Sequence, residues 1–181
     1  GNAAGTALDA VFATVGGGGG NLARGLGATV GGGYGNSADG AYGTVAGGLF
    51  NDAIGSGGAL YVGGYFTEIG GTPRSGLAKL GSTGGADSHW NPGGINGPVN
   101  ALTLEGDRLY IGGQFTLVGG VTRINLARVD ALGSGALDSG WNLLADGEVR
   151  AAGATASGEL WLGGAFRNLG TSLRMGLARL T

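Results

Sequence analysis

The residues able to do chemistry are few. The best grouped are Asp87, Ser88, His89, Trp90 and Asn91, five in a row. Such a run suits a sugar: an indole offers a flat apolar face for stacking, and planar polar side chains serve hydroxyls or anions. Arg74, Arg123 and Trp141 extend this candidate ligand-binding set, with two forked donors and a second ring. Each also has a plainer reading. Trp90 and Trp141 occupy matching places in a repeat, as do Arg74, Arg123 and Arg174, and matched residues of these types also serve as packing and as carbonyl contacts. Asp87 and the matching Asp138 precede Ser, where a carboxylate caps its own turn. His89 differs from the rest, because its counterpart is Gly140. A position that varies between repeats is dispensable to the fold and free to face solvent or ligand.

Catalytic and metal chemistry find less. The chain has one His, no Cys and, as Glu, only Glu68, Glu105, Glu148 and Glu159. A Ser-His-Asp triad would have to combine His89 with Asp87 and a distant Ser. A glycosidase pair would need a protonated carboxyl in a cleft, and three of the four Glu lie near expected turns. No calcium-loop pattern occurs, and the Gly16–Gly20 run lacks the Lys-Ser/Thr and the helix of a phosphate loop. The expectation is a protein that is not an enzyme, with no catalytic residue, no metal and no cofactor.

The elements that must hold these residues are legible in two repeats. Leu60-Tyr-Val-Gly-Gly-Tyr-Phe66 returns as Leu109-Tyr-Ile-Gly-Gly-Gln-Phe115 and as Leu160-Trp-Leu-Gly-Gly-Ala-Phe166, at spacings of 49 and 51 residues. Within this part Val99–Leu104, Leu109–Thr116 and Asn125–Val129 read as strands, Glu105–Arg108 as a hairpin turn, and Asp138–Asn142 as the lead into a fourth strand. Three or four short antiparallel strands in about 50 residues describe a propeller blade. Upstream, Ala13-Thr-Val15, Ala28-Thr-Val30 and Gly43-Thr-Val45 step by 15 residues, as do Asn21, Asn36 and Asn51 with their Asn-x-Ala-x-Gly motifs. Each unit offers one or two very short strands that gain a core only by stacking. Because the inward positions are small, Phe12, Leu26 and Tyr42 need cover, and self-association is the simplest.

Composition agrees. The 181 residues include 46 Gly but only 3 Pro, and 42% hydrophobic against 12% charged residues is too apolar for a disordered tail. A net charge of -2 with scattered basic residues leaves no nucleic-acid footprint. No apolar run reaches the roughly 20 residues of a membrane helix, so no membrane insertion is expected. The absence of Cys fits extracellular β-repeats held by stacking. The start at Gly1-Asn2 suggests a piece of a longer chain.

The first part, residues 1–57, resembles the YadA-like head repeat of trimeric autotransporter adhesins, through Ala28-Thr-Val-Gly-Gly-Gly-Tyr-Gly-Asn-Ser-Ala-Asp-Gly40 and Gly43-Thr-Val-Ala-Gly-Gly-Leu-Phe-Asn-Asp-Ala-Ile-Gly55. Asn2–Gly5 is out of phase. The second, residues 58–181, resembles the delta-60 repeat family of β-propellers, through Gly70-Gly71, Arg74, Leu77-Ala78-Lys79, Asp87-Ser88 and Trp90-Asn91 and their second copies Gly119-Gly120, Arg123, Leu126-Ala127-Arg128, Asp138-Ser139 and Trp141-Asn142. The third unit keeps Arg174 and Leu177-Ala178-Arg179. The resemblances imply an all-β protein: a trimeric, left-handed parallel β-roll followed by about two and a half to three propeller-like blades. The blades would either share one ring among three chains or form three partial propellers.

Because no coiled coil or membrane barrel follows the roll, the order of parts is similar to phage tail fibres and mosaic adhesive trimers, whose shafts carry exchangeable tips. The expectation is the tip of a homotrimeric extracellular fibre, at or beyond the cell surface, binding a glycan or other envelope component of another cell. A structural cap or spacer is the first rival, a fibre-borne polysaccharide hydrolase the second.

Overall fold

The computed structural model describes residues 7–8, 12–32, 34–39, 44–45, 52–54, 59–81 and 84–181. Asn2–Gly5, Tyr42 and Asn51 lie outside them. All regular structure among the described residues is β-strand, as expected.

The described residues before 55 form a stacked coil. Its strands are β1 (Ala7–Leu8), β2 (Thr14–Val15), β3 (Leu22–Ala23), β4 (Thr29–Val30), β5 (Ser37–Ala38), β6 (Thr44–Val45) and β7 (Asp52–Ile54). Odd-numbered strands pair in parallel as one ladder and even-numbered strands as another. Every rung is offset by the 15-residue period, with Thr14 opposite Thr29 opposite Thr44. Among the described residues its apolar interior is built of Ala23, Ala28, Val30, Ala38, Val45 and Ala53. Asparagines tie the rungs: Asn36 donates its backbone N–H to Asn21 Oδ1 at 2.9 Å. Their side-chain amides donate to the carbonyls of Gly17 and Gly32 at 2.7 and 2.8 Å. A buried polar side chain is tolerated when its bonds are made, and this one recurs because each rung repeats the same carbonyl geometry.

Three blades follow. The first has β8 (Leu60–Gly63), a small hairpin of β9 (Glu68–Ile69) and β10 (Thr72–Pro73), and β11 (Leu77–Leu80). The second has β12 (Val99–Glu105), β13 (Arg108–Gly113), the hairpin β14 (Leu117–Val118) and β15 (Val121–Thr122), and β16 (Leu126–Asp130). The third has β17 (Val149–Ala154), β18 (Leu160–Gly164), the hairpin β19 (Asn168–Leu169) and β20 (Ser172–Leu173), and β21 (Leu177–Leu180). Sheets two and three run β12-β13-β16 and β17-β18-β21, antiparallel throughout. The fourth strand expected after Asp138–Asn142 does not form: the segment is a turn held by the Asp138 carboxylate, touching a sheet through single bridges at Leu137 and Ala145. The next strand, β17, opens the following blade.

The boundary between the two parts is a shared strand. In blades two and three a first strand lies beside the Gly-Gly strand. In blade one that place belongs to β7, the last rung of the coil, with Ala53 opposite Val62 as Leu102 is opposite Ile111. One sheet therefore runs β1-β3-β5-β7-β8-β11 from coil into blade.

Alternation along the strands gives every blade two apolar faces. One packs toward the preceding unit and one toward the next. Tyr61 and Leu77 of blade one pack with Leu102, Leu109, Ile111 and Val129 of blade two. Tyr110 and Leu126 of blade two pack with Leu160, Leu162 and Ala178 of blade three. Val62, Ala78 and Leu80 pack on the coil's own interior. The coil thus stands where a preceding blade would. In a ring shared among chains, a neighbour's third blade would find that seat on blade one filled.

Candidate functional site

The seven residues singled out from the sequence do not converge on one site. They form two repeat-related clusters. In the first, Asp87 Oδ1 accepts the His89 N–H at 2.9 Å, and Oδ2 lies 3.7 Å from Lys79 Nζ. These two neighbours, the backbone bond foremost, hold the Asp87 carboxyl below its ordinary range. The His89 side chain is almost fully exposed, and Asn91 caps its own turn by accepting from Gly93 N–H at 3.1 Å. Trp90 has no open face: it is fully buried, edge-on to Tyr61 at 5.4 Å, with Nε1–H donating to the Asp130 carbonyl at 2.9 Å. As a sugar platform it is replaced by a packing residue. Arg74 reaches the Asp87 carbonyl at 3.1 Å.

The second cluster repeats this. Arg123 is buried, bonding the carbonyls of Thr122 and Asp138 at 2.8 and 3.2 Å, and so is closed to a ligand. Trp141 is half-buried, edge-on to Tyr110 at 5.4 Å and covered by the Arg128 guanidinium at 5.2 Å. Arg128 Nη2 and Nε bond Asp138 Oδ2 at 2.5 and 3.0 Å, and this pairing is the main cause that lowers the Asp138 carboxyl's pKa. The repeated Asp, Trp and Arg are the fastening between blades. Only Asp87, His89 and Asn91 present a grouped polar surface. Among the described residues no group of three or more His, Asp or Glu is placed to hold a metal ion.

A different cleft is built where coil meets blades. It has a volume of about 470 Å³ and is lined by Arg24, Ser37 and Asp39 from the coil and by Asn100, Glu148 and Arg150 from blades two and three. The 15-residue period sets Arg24 beside Asp39 on adjacent rungs, 3.3 Å apart, and Ser37 Oγ donates to the same carboxylate at 2.9 Å. Across the cleft Glu148 accepts from Asn100 Nδ2 at 2.9 Å and from Arg150 Nε at 2.7 Å. Ala101, Ala151 and Ala152 line the rest, leaving room.

Asn100 and Arg150 point here because of a repeated backbone irregularity. Val99 pairs with Gly113 and Ala101 with Gly112, leaving Asn100 as the extra residue of a β-bulge. Arg150 has the same place between Val149 and Ala151. A bulge bends its strand and re-aims one side chain. Gly113 and Gly164 permit it, since a Cβ on either would collide with the carbonyl oxygens of Pro98 and Glu148. Sequence reading missed these residues. The signal that singled out His89 also marks them: Val-Asn-Ala and Val-Arg-Ala differ at the middle position of an otherwise kept motif. The arrangement offers fixed amide, guanidinium and carboxylate groups in one small concavity, the chemistry that hydroxyl-rich or charged ligands require.

A family model described as a domain of unknown function (DUF5122) beta-propeller matches residues 55–89 and 107–140. The matched stretches fall on the first two blades, and the chain carries a β-propeller-type repeat domain. No curated protein matches the sequence.

Proposed function

We propose that this chain is the binding tip of a homotrimeric extracellular fibre. The coil trimerises and presents, and the cleft between coil and blades takes a glycan of another cell's envelope. The observation that carries the reading is the pair of bulges aiming Asn100 and Arg150 into a cleft that already holds Arg24, Asp39 and Glu148. Trimerisation draws support from the coil's exposed Phe12, Leu26 and Tyr34, large side chains on a unit whose described apolar interior is small, Ala and Val. Three copies of a weak site gain avidity when the target carries repeated epitopes. The tip is read as non-catalytic, because each cleft carboxylate is engaged by an arginine, an arrangement suited to holding rather than to proton transfer. Light scattering of the purified chain followed by a glycan array tests both halves. A mass near three times 17.5 kDa with selective glycan capture supports the tip. A monomer removes the trimer, and a trimer silent toward every glycan leaves the structural spacer.

A further inference from the structure

Two repeat-equivalent positions are buried in blades one and two and bare in blade three. Leu77 and Leu126 are 1% and 0% exposed, whereas Leu177 is 61% exposed. Tyr61 and Tyr110 are 1% and 7% exposed, whereas Trp161 is 40% exposed. Leu173 and Met175 stand open beside them. Terminal units of stacked repeats need a polar outer face for solubility, and blade three has not acquired one.

Its glycines carry a second, independent mark. A Cβ on Gly63 would lie 2.6 Å from Val99 Cγ1, and one on Gly112 would lie 2.5 Å from Val149 Cγ1. Those glycines seat the valine that opens the next blade. Gly163 is the same position in blade three, yet among the described residues a Cβ there would meet within 4 Å only Ala151 and Gly176 of its own blade. The polar fastenings show the same gap. The Arg74 and Arg123 side chains bond the Asp87 and Asp138 carbonyls, while among the described residues the Arg174 side chain bonds the carbonyl of its neighbour Leu173 at 3.3 Å. Lys79 and Arg128 pair with Asp87 and Asp138, while Arg179 turns to Glu159 at 3.2 Å.

We infer that the open face of blade three is the seat of a further blade of the same repeat, supplied by a continuation of the chain. Its connector brings Asp-x-x-Trp-Asn: the Asp carboxylate meets Arg179, its carbonyl meets Arg174, and the indole lies edge-on to Trp161. Its first strand opens on a valine that fills the space at Gly163. This follows the two junctions already present and does not depend on the cleft's ligand. A second copy of the chain fits less well, since its blade faces of the required kind are occupied by its own neighbours.

The test extends the full chain after Thr181, which aligns with Asp130, by a second copy of residues 131–181. With no native Cys, Leu177→Cys reports the face by its thiol-labelling rate, and Leu126→Cys serves as the buried reference. The inference expects rapid labelling of Leu177→Cys in the original chain and at least about tenfold slower labelling in the extended one, as burial makes reaction wait for local opening. Gly163→Val should be tolerated in the original chain and lower the unfolding midpoint of the extended one. Equal labelling in both chains, or an equal effect of Gly163→Val in both, overturns it. So does slow labelling of the original chain that speeds up on dilution, which would identify a second copy as the cover.

Discussion

The two blade junctions use the same residues and close differently. At the first, Trp90 is fully buried, and Trp90 Nε1–H and the Tyr61 hydroxyl donate to the carbonyls of Asp130, the last residue of β16, and Ala131, the next, at 2.9 and 2.6 Å. Burial pushes the Tyr61 phenol above its ordinary pKa. The ion pair there is loose, with Lys79 3.7 Å from Asp87. At the second, Trp141 remains half-exposed and is covered by Arg128, which grips Asp138 through two nitrogens. The first junction is therefore sealed by backbone carbonyls at the end of blade two, and the second by an arginine over the indole.

Trp90→Ala should cost about 3–5 kcal/mol of stability, the usual loss for a large buried ring. Trp141→Ala should cost clearly less, about 1–3 kcal/mol, because part of its surface is already wet. Urea unfolding of the two variants side by side measures the difference, and equal losses would remove the distinction between the junctions. Gly112→Val places methyl groups on Val149 and should cost about 1–3 kcal/mol by overpacking, read as a lower urea midpoint.

The polar fastenings give smaller effects. Arg128→Ala should cost about 1–2 kcal/mol, since it loses a charge-assisted bond and the cover over Trp141. Lys79→Ala should cost about 0.5 kcal/mol or less and be masked by salt. Asp87, Asp138 and Asp146 all have carboxyl pKa values held below the ordinary 3.8 in the fold. Their contribution is therefore complete above that value and is lost as pH falls through their lowered folded values. Thermal melts should be flat through neutral pH and drop only in strongly acidic buffer. Asp138→Asn should soften that drop, whereas Asn96, the neutral counterpart of Asp146 at the same turn, should give Asn96→Ala no acid dependence of its own.

Much of the fold was legible in the sequence because its periods are long and its marker residues are costly to vary. The Leu-aromatic-x-Gly-Gly motif located every central strand, and the 15-residue step located every coil ladder. The expected fourth strand failed because Asp138 spends its carboxylate on the N–H groups of Gly140 and Trp141, which holds a turn where a strand would need extended backbone. The shared strand β7 could not be read from either repeat. Its pairing with β8 joins two motifs of different period, and neither period encodes the other. For the candidate site, the Asp87–Asn91 run drew attention because aromatic and charged residues cluster there, yet the same residue types fasten blades. The bulge residues Asn100 and Arg150 vary within a kept Val-x-Ala motif, as His89 varies within its own, but a bulge shows only once the partner strand is known, so they read as ordinary strand positions.

Whether the cleft is the binding site is decided by calorimetric titration of a captured envelope glycan into the intact protein and into the double variant Asn100→Ala/Arg150→Ala. The intact protein should give saturable heat, and a double variant of unchanged mass and melting temperature should give none. Binding that survives in this variant and disappears instead in His89→Ala/Asn91→Ala would contradict it, and would move the site from the cleft to the loop between the first two blades.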